Sequence, residues 1–306
     1  MKKVFGISFL SIFILAVISA FVLLYFFTGF LNGEKIDNRD LEHWEYTSDG
    51  KIKGAEEIKL EGENQTCWLM IHGYTSVPDE FKNYAKEINK TFGDYVYVPR
   101  LEGHGTKPSD MIDIDVKDWY NQVDDIYKKL ENKCNNINIV GFSLGGFLSI
   151  AIAQNQYEST NNLYLLAPFI KLSYIEYDNF SLAEYAEVVG QHLVYGSKIN
   201  IAQINKPGGE KEHIAYLNFP FEPITNSFDY FEQIRGSLGE VNIPTLIQHS
   251  KKDRTNNIQG SKLIYDNIAS EYKKLIKLEK SNHVLMRDYE KNKVLENIIK
   301  FEKDNR

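Results

Sequence analysis

The chain has 306 residues, 43% of them hydrophobic and 25% charged, the composition of a globular protein with room for one large domain or two smaller ones. Against 35 basic residues stand 42 acidic ones, a net charge of −7 that would neutralise no phosphates and so excludes nucleic acid as a main partner. Two cysteines make no disulfide framework. The seven histidines show neither an H-E-x-x-H pattern nor a Cys/His cluster of zinc-like spacing, so no metal site is expected.

Met1 to Lys3 carries two lysines ahead of Val4 to Phe30, which is 27 residues without a charge. As a helix that stretch would be roughly 40 Å long, against a hydrocarbon core of about 30 Å. The expectation is a membrane anchor over residues 1–33, followed by a catalytic domain over 34–306. A signal peptide cleaved near Ala20 is the alternative, but a secretory apolar region runs about 7–15 residues and this one continues well past Ala20. The positive-inside rule puts Lys2 and Lys3 in the cytoplasm, which makes this a single-pass protein of the cell membrane with its catalytic domain outside.

Residues 31–64 are polar and charged and read as a tether followed by an edge hairpin. Cys67 to Ile71 is the first buried strand and runs into His72-Gly73-Tyr74-Thr75. Ser76 and Pro78 start a helix with Phe81, Tyr84, Ala85 and Ile88 on one face. Tyr95 to Val98 is a strand, and Pro99 to Gly105 (PRLEGHG) a loop. Asp115 caps a helix in which Val116, Trp119, Tyr120, Val123, Ile126, Tyr127 and Leu130 recur at three- and four-residue spacing. Cys67 and Cys134 each lie near the start of a core strand and read as free buried thiols. A disulfide is the alternative if those strands are neighbours.

Asn136 to Ala153 (NINIVGFSLGGFLSIAIA) organises the rest. Ile137, Ile139 and Val140 suit a central strand of a parallel sheet, and Phe147 to Ile152 an apolar helix. Between them lies Gly141-Phe142-Ser143-Leu144-Gly145, a G-x-S-x-G turn that lifts the Ser143 hydroxyl clear of the backbone. A β-carbon at 141 or 145 would collide with backbone in so tight a turn.

Leu163 to Leu166, Thr245 to Gln248 and Leu275 to Leu278 are further strands, with helices at about 258–269 and 288–303. This alternation predicts an α/β fold, a mostly parallel sheet covered by helices on both faces. Residues 171–240 break it. They hold eleven Phe or Tyr, no core strand and a Lys206-Pro207-Gly208-Gly209 turn, and read as a helical cap whose aromatics line an acyl pocket.

A serine hydroxyl needs a base, usually a histidine oriented by a carboxylate. Asp253 follows the strand Thr245 to Gln248, and His283 follows Leu275 to Leu278. Both stand at carboxyl ends of strands, where sites in open α/β sheets assemble. His249 precedes the acid candidate, His43, His192 and His213 fall in the tether or the cap, and His72 and His104 read as structural. Asp288 reads as a helix cap. The backbone N–H groups of Leu144 and Tyr74 are the expected oxyanion donors.

HGYT, PRLEGHG, GFSLGG, HSKKD and SNHV, in that order over about residues 65–303, resemble the α/β-hydrolase superfamily and, within it, the bacterial carboxylesterase and monoacylglycerol lipase branch. The resemblance implies a cofactor-free serine hydrolase with a small cap, acting on short to medium acyl esters or monoacylglycerols. Ser143 would be nucleophile, Asp253 acid, His283 base, and Tyr74 and Leu144 the oxyanion donors. Ser76 and Ser250 stand where the family often has glycine, and a membrane anchor is not typical of the branch. Thioester or amide hydrolysis, acyl transfer, and a slow-turnover surface sensor are the alternative functions. Epoxide or haloalkane chemistry would want a carboxylate at 143.

Overall fold

The computed structural model of the chain describes residues 17–20, 36–170, 195–198 and 203–306. Nine strands lie among them, β1 Ile58–Leu60, β2 Thr66–Ile71, β3 Tyr95–Val98, β4 Asn136–Phe142, β5 Thr160–Leu166, β6 Tyr195–Ser197, β7 Asn218–Pro220, β8 Thr245–Ser250 and β9 Lys273–Leu278. Seven form one sheet in the order β1-β3-β2-β4-β5-β8-β9, parallel throughout except for the antiparallel edge strand β1. The main helices are α1 Asn38–His43, α2 Lys82–Phe92, α3 Val116–Glu131, α4 Leu144–Ala153, α5 Phe228–Gly236, α6 Ile258–Asn267 and α7 Lys291–Asn305.

Alternation along each strand sorts the core into two layers. Leu69 and Ile71 of β2, Ile137 and Ile139 of β4, and Leu163 and Leu165 of β5 face α3 and α4. Trp68 and Met70, Val140, and Tyr164 and Leu166 face α2 and α7 on the other side. Strands buried on both faces lose the polar alternation of a half-exposed sheet, which is why β2 is an unbroken apolar run after Thr66. Asp115 caps α3 as expected, accepting the N–H groups of Lys117 and Asp118 in a capping box.

Several sequence expectations need correction. Cys67 and Cys134 form a disulfide. Strands β2 and β4 are neighbours with Cys67 opposite Ile137, which brings the two Cα atoms to 5.8 Å, inside the span a disulfide bridges. From residue 36 the tether is part of the fold. The Asp40 carboxylate, fully buried, accepts the backbone N–H groups of Leu217 (2.8 Å) and Asn218 (3.1 Å), and Asn218 Nδ2 returns a bond to the Ile36 carbonyl (2.9 Å). Asp37 likewise accepts Ser109 N–H (2.8 Å) and Oγ–H (2.7 Å). The expected cap is not purely helical either, since β6 and β7 pair as an antiparallel two-stranded sheet of their own. Nor is it all cap, because α5 belongs to the core, with the Phe231 ring 5.0 Å from both Phe147 and Phe169. Cap residues 171–194 and 199–202 lie outside the described residues, as does the expected anchor apart from 17–20. Among the described residues no helix is long and apolar enough to cross a membrane.

Candidate active site

The side chains of Ser143, Asp253 and His283 stand at the carboxyl end of the sheet. Ser143, between β4 and α4, has φ 52° and ψ −116°, a conformation that side chains beyond glycine rarely take. Tertiary packing imposes it. A β-carbon on Gly141 would strike the Gly145 carbonyl oxygen and Ser149 Oγ, and one on Gly145 would strike the Ile71 carbonyl oxygen. Ser143 N–H donates to the Leu166 carbonyl (3.0 Å), while the Ser143 carbonyl accepts from Phe169 (2.9 Å), fixing the turn against β5.

Half-buried Ser143 directs Oγ–H to His283 Nε2 at 3.1 Å, and His283 Nδ1–H donates to Asp253 Oδ2 at 2.8 Å. Asp253 and His283 come from the turns after β8 and β9, adjacent parallel strands, so the sheet itself sets their separation. Two ties lock the turns together, from Arg254 N–H to Asn282 Oδ1 (3.0 Å) and from Ser250 Oγ to the Ser281 carbonyl. The serine at 250 therefore has a job that glycine lacks. Asp253 Oδ1 accepts Thr255 N–H and Asn256 N–H, both at 2.8 Å. Burial would raise the Asp253 carboxyl, but the His283 charge and bonds from His249 and His283 outweigh it and hold the group well below the usual carboxylate range.

The loop after β2 lies against Ser143, since a β-carbon on Gly73 would sit 3.3 Å from Ser143 Cβ. Among the described residues no acceptor takes the backbone N–H of Tyr74 or of Leu144, and the latter opens α4. Such free N–H groups suit a developing oxyanion, the Leu144 donor helped by the positive end of the helix dipole. His72 is neutral, because burial lowers its pKa to about 4. With Nδ1–H on the Gly73 carbonyl (3.0 Å) and Nε2 accepting Leu101 N–H (3.1 Å), it braces two loops. His104 is packed between His72 and Trp119, each ring 5.0 Å away.

Three features of the site depart from what the sequence suggests or go beyond it. Asp288 does not cap α7, whose N-cap is Glu290. Its buried carboxylate instead accepts the N–H groups of Asn205 (2.7 Å), Lys206 (2.9 Å) and Asn282 (2.7 Å), clamping the cap turn onto the His283 loop. His249, which chain order rules out as the base, has Nε2 at 3.1 Å from Asp253 Oδ2. Asn256 Nδ2 reaches the Ala167 carbonyl (3.0 Å) and stands 3.4 Å from Ser143 Oγ. Only the position of Asn256 three residues after the acid hints at this, since a carboxylate there accepts N–H groups of its own turn. Among the described residues no group of His, Cys, Asp or Glu could hold a metal ion.

A mostly parallel sheet with a strained serine turn at its centre, and Ser, Asp and His in chain order at its carboxyl end, defines the α/β-hydrolase fold. The chain belongs to the family described as serine aminopeptidase, S33, whose model matches residues 62–290. It is 25% identical over 254 residues to a thermostable monoacylglycerol lipase of Bacillus sp. (strain H-257), covering 82% of this chain and 95% of that one. To a carboxylesterase of Bacillus subtilis (strain 168) it is 22% identical over 234 residues, 76% of this chain and 90% of the other. A solved structure of LipS and LipT, two metagenome-derived lipolytic enzymes, superposes with a TM-score of 0.72 at 25% identity, covering 82% of this chain and 98% of that one.

Proposed function

We propose that this hydrolase is a serine esterase of the carboxylesterase and monoacylglycerol lipase type, cleaving short to medium acyl esters or monoacylglycerols through an acyl-enzyme on Ser143. The observation that carries the reading is the unbroken relay from Ser143 Oγ through His283 (3.1 Å) to Asp253 (2.8 Å). His283 takes the serine proton as Oγ attacks the acyl carbon, and returns it to the departing alcohol. Backbone N–H groups of Tyr74 and Leu144 hold the oxyanion, and water then resolves the acyl-enzyme by the same steps. No cofactor enters. An apolar acyl chain is favoured by the likeness to a monoacylglycerol lipase and by the aromatic edge of the cap, where Phe219 lies 6.3 Å from the Tyr74 ring and 5.3 Å from Phe221. The family's aminopeptidase description favours amide hydrolysis as a second reading.

In the full-length protein, Ser143→Ala is expected to abolish fluorophosphonate labelling and to lower turnover of p-nitrophenyl esters by several orders of magnitude. Near wild-type rates in that variant would sink the reading, and faster cleavage of aminoacyl p-nitroanilides than of esters would favour the second.

The localisation proposed is the cell membrane, with the catalytic domain outside. It rests on the 27 uncharged residues Val4 to Phe30 and on the Cys67–Cys134 disulfide, a bond that persists in oxidising compartments. The chain is expected to stay with membranes through alkaline carbonate extraction and to lose that association when residues 4–30 are deleted. Release of the intact chain by carbonate would refute the anchor.

A further inference from the structure

Asp253 carries two imidazole neighbours, although a catalytic triad uses one. His249, near the end of β8, has no exposed side-chain surface. Its Nε2 stands 3.1 Å from Asp253 Oδ2 and 3.1 Å from the Asn256 carbonyl oxygen. Both are acceptors, so Nε2 must carry a proton. On the far side, Nδ1 lies 2.7 Å from Ser261 Oγ in α6. A neutral imidazole protonated at Nε2 accepts the Ser261 hydroxyl proton there, and every polar atom of the ring is satisfied.

We infer that His249 is a positioning residue for the triad acid, its Nε2–H serving as a second imidazole donor that holds Asp253 in the rotamer His283 needs and spreads its charge. This rests on the Ser143–His283–Asp253 reading. Four N–H groups then surround Asp253, with His283 bonded to Oδ2, Thr255 and Asn256 bonded to Oδ1, and His249 Nε2, which donates to the Asn256 carbonyl, lying 3.1 Å from Oδ2. A carboxylate so saturated stays ionised, and each donor draws off charge that would otherwise stabilise protonated His283. The Asp253 side chain is fully buried, so bulk water does not replace a lost donor.

Removing the His249 donor leaves Asp253 more negative toward His283, protonated His283 gains stability, and the free base appears at higher pH. Among the described residues, His213, Asp288 and Arg254 also lie near this pair. His213 faces His283 from the cap, and burial pushes its pKa well below the ordinary value. Asp288 lies under Asn282, and Arg254 follows the acid. None of the three approaches Asp253 Oδ2 as His249 does, so a change at 249 reads out chiefly through that atom.

The test is the pH profile of kcat/KM for a p-nitrophenyl ester, measured on the full-length protein and on His249→Leu, His249→Gln and Ser261→Ala, with Ser143→Ala as blank. For His249→Leu the acid limb should move up by roughly half to one pH unit, with turnover at neutral pH down about tenfold and partly recovered in alkali. His249→Gln, whose amide N–H can reach Asp253, should keep the limb near the wild-type position. Ser261→Ala frees the ring to change tautomer and should shift the limb in the same direction by less. An unmoved limb in His249→Leu, or equal shifts for Leu and Gln, would overturn the role of His249. If His249→Leu fails to fold, Ser261→Ala decides alone, and an unmoved limb there overturns it. Turnover surviving in Ser143→Ala is a different result, one that overturns the triad reading and this role with it.

Discussion

Ser143 shows how a single residue can be held against its own preference. At φ 52° and ψ −116° its β-carbon is strained, a state that costs on the order of 1–3 kcal/mol and that the crowded turn around Gly141 and Gly145 over-determines. Glycine at 143 would release the strain, while its greater freedom in the unfolded chain would cost about 0.5–1 kcal/mol. Relief of strain outweighs that entropy. Ser143→Gly should therefore be more stable than Ser143→Ala by about 1 kcal/mol, a difference of roughly 2–4 °C in Tm for a domain of this size, with both variants inactive. Alanine is the fair reference because it loses the hydroxyl bond to His283 yet keeps the β-carbon. Paired thermal melts decide the matter, and a glycine variant that melts at or below the alanine variant would show that the turn stores no strain.

Secondary-structure elements act on the site mainly through the loop after β2. Thr75 has φ 69°, and the cap side grips it at several points. Its carbonyl accepts Tyr216 N–H (2.9 Å), its hydroxyl meets Lys198 Nζ, and Ser76 bridges Ala215. Tyr74 adds a hydroxyl bond to the Pro220 carbonyl (2.5 Å). From the opposite side Glu80 Oε2 takes Gly73 N–H (3.3 Å), and burial lifts the Glu80 carboxyl to about 7. The backbone donor at Tyr74 thus depends on cap and core together. Little of this is legible in the sequence, and the reason is physical. Hydrophobic burial follows the geometry of strand and helix, so β2 to β5, β8 and α4 show themselves as apolar runs, α3 by its period, and the G-x-S-x-G turn by its crowding. Side-chain-to-backbone bonds such as those of Asp40, Asp288 and Glu80 have no period. They join residues far apart in the chain, and a polar run that makes them looks like a solvated tether. Ser143, Asp253 and His283 are readable because a serine, acid and base relay needs each to follow a strand, whereas nothing singles out His249, since one imidazole per acid is all that such chemistry demands.

At the scale of the whole molecule, the candidate site and the disulfide occupy opposite ends of the sheet. Ser143, Asp253 and His283 follow the carboxyl ends of β4, β8 and β9, while Cys67 and Cys134 sit at the amino ends of β2 and β4. The bond joins residues 67 apart and so closes the loop that carries β2, α2, β3 and α3. On the chain-entropy view a loop of that length is worth about 4 kcal/mol, mostly through the unfolded state, and measured losses of native disulfides run about 2–5 kcal/mol. That is a large share of the stability of any domain. The Cys67→Ala, Cys134→Ala double variant should accordingly lose about 2–4 kcal/mol in denaturant melts, yet keep kcat and KM near wild type well below its melting range, because no group of the relay moves. Thiol trapping in cells adds the compartment to the same test. With the domain outside the membrane, the two sulfurs should resist alkylation until a reductant is added. Prompt alkylation without reductant would place the domain in a reducing compartment, and a double variant as stable as wild type would deny the bond its structural role.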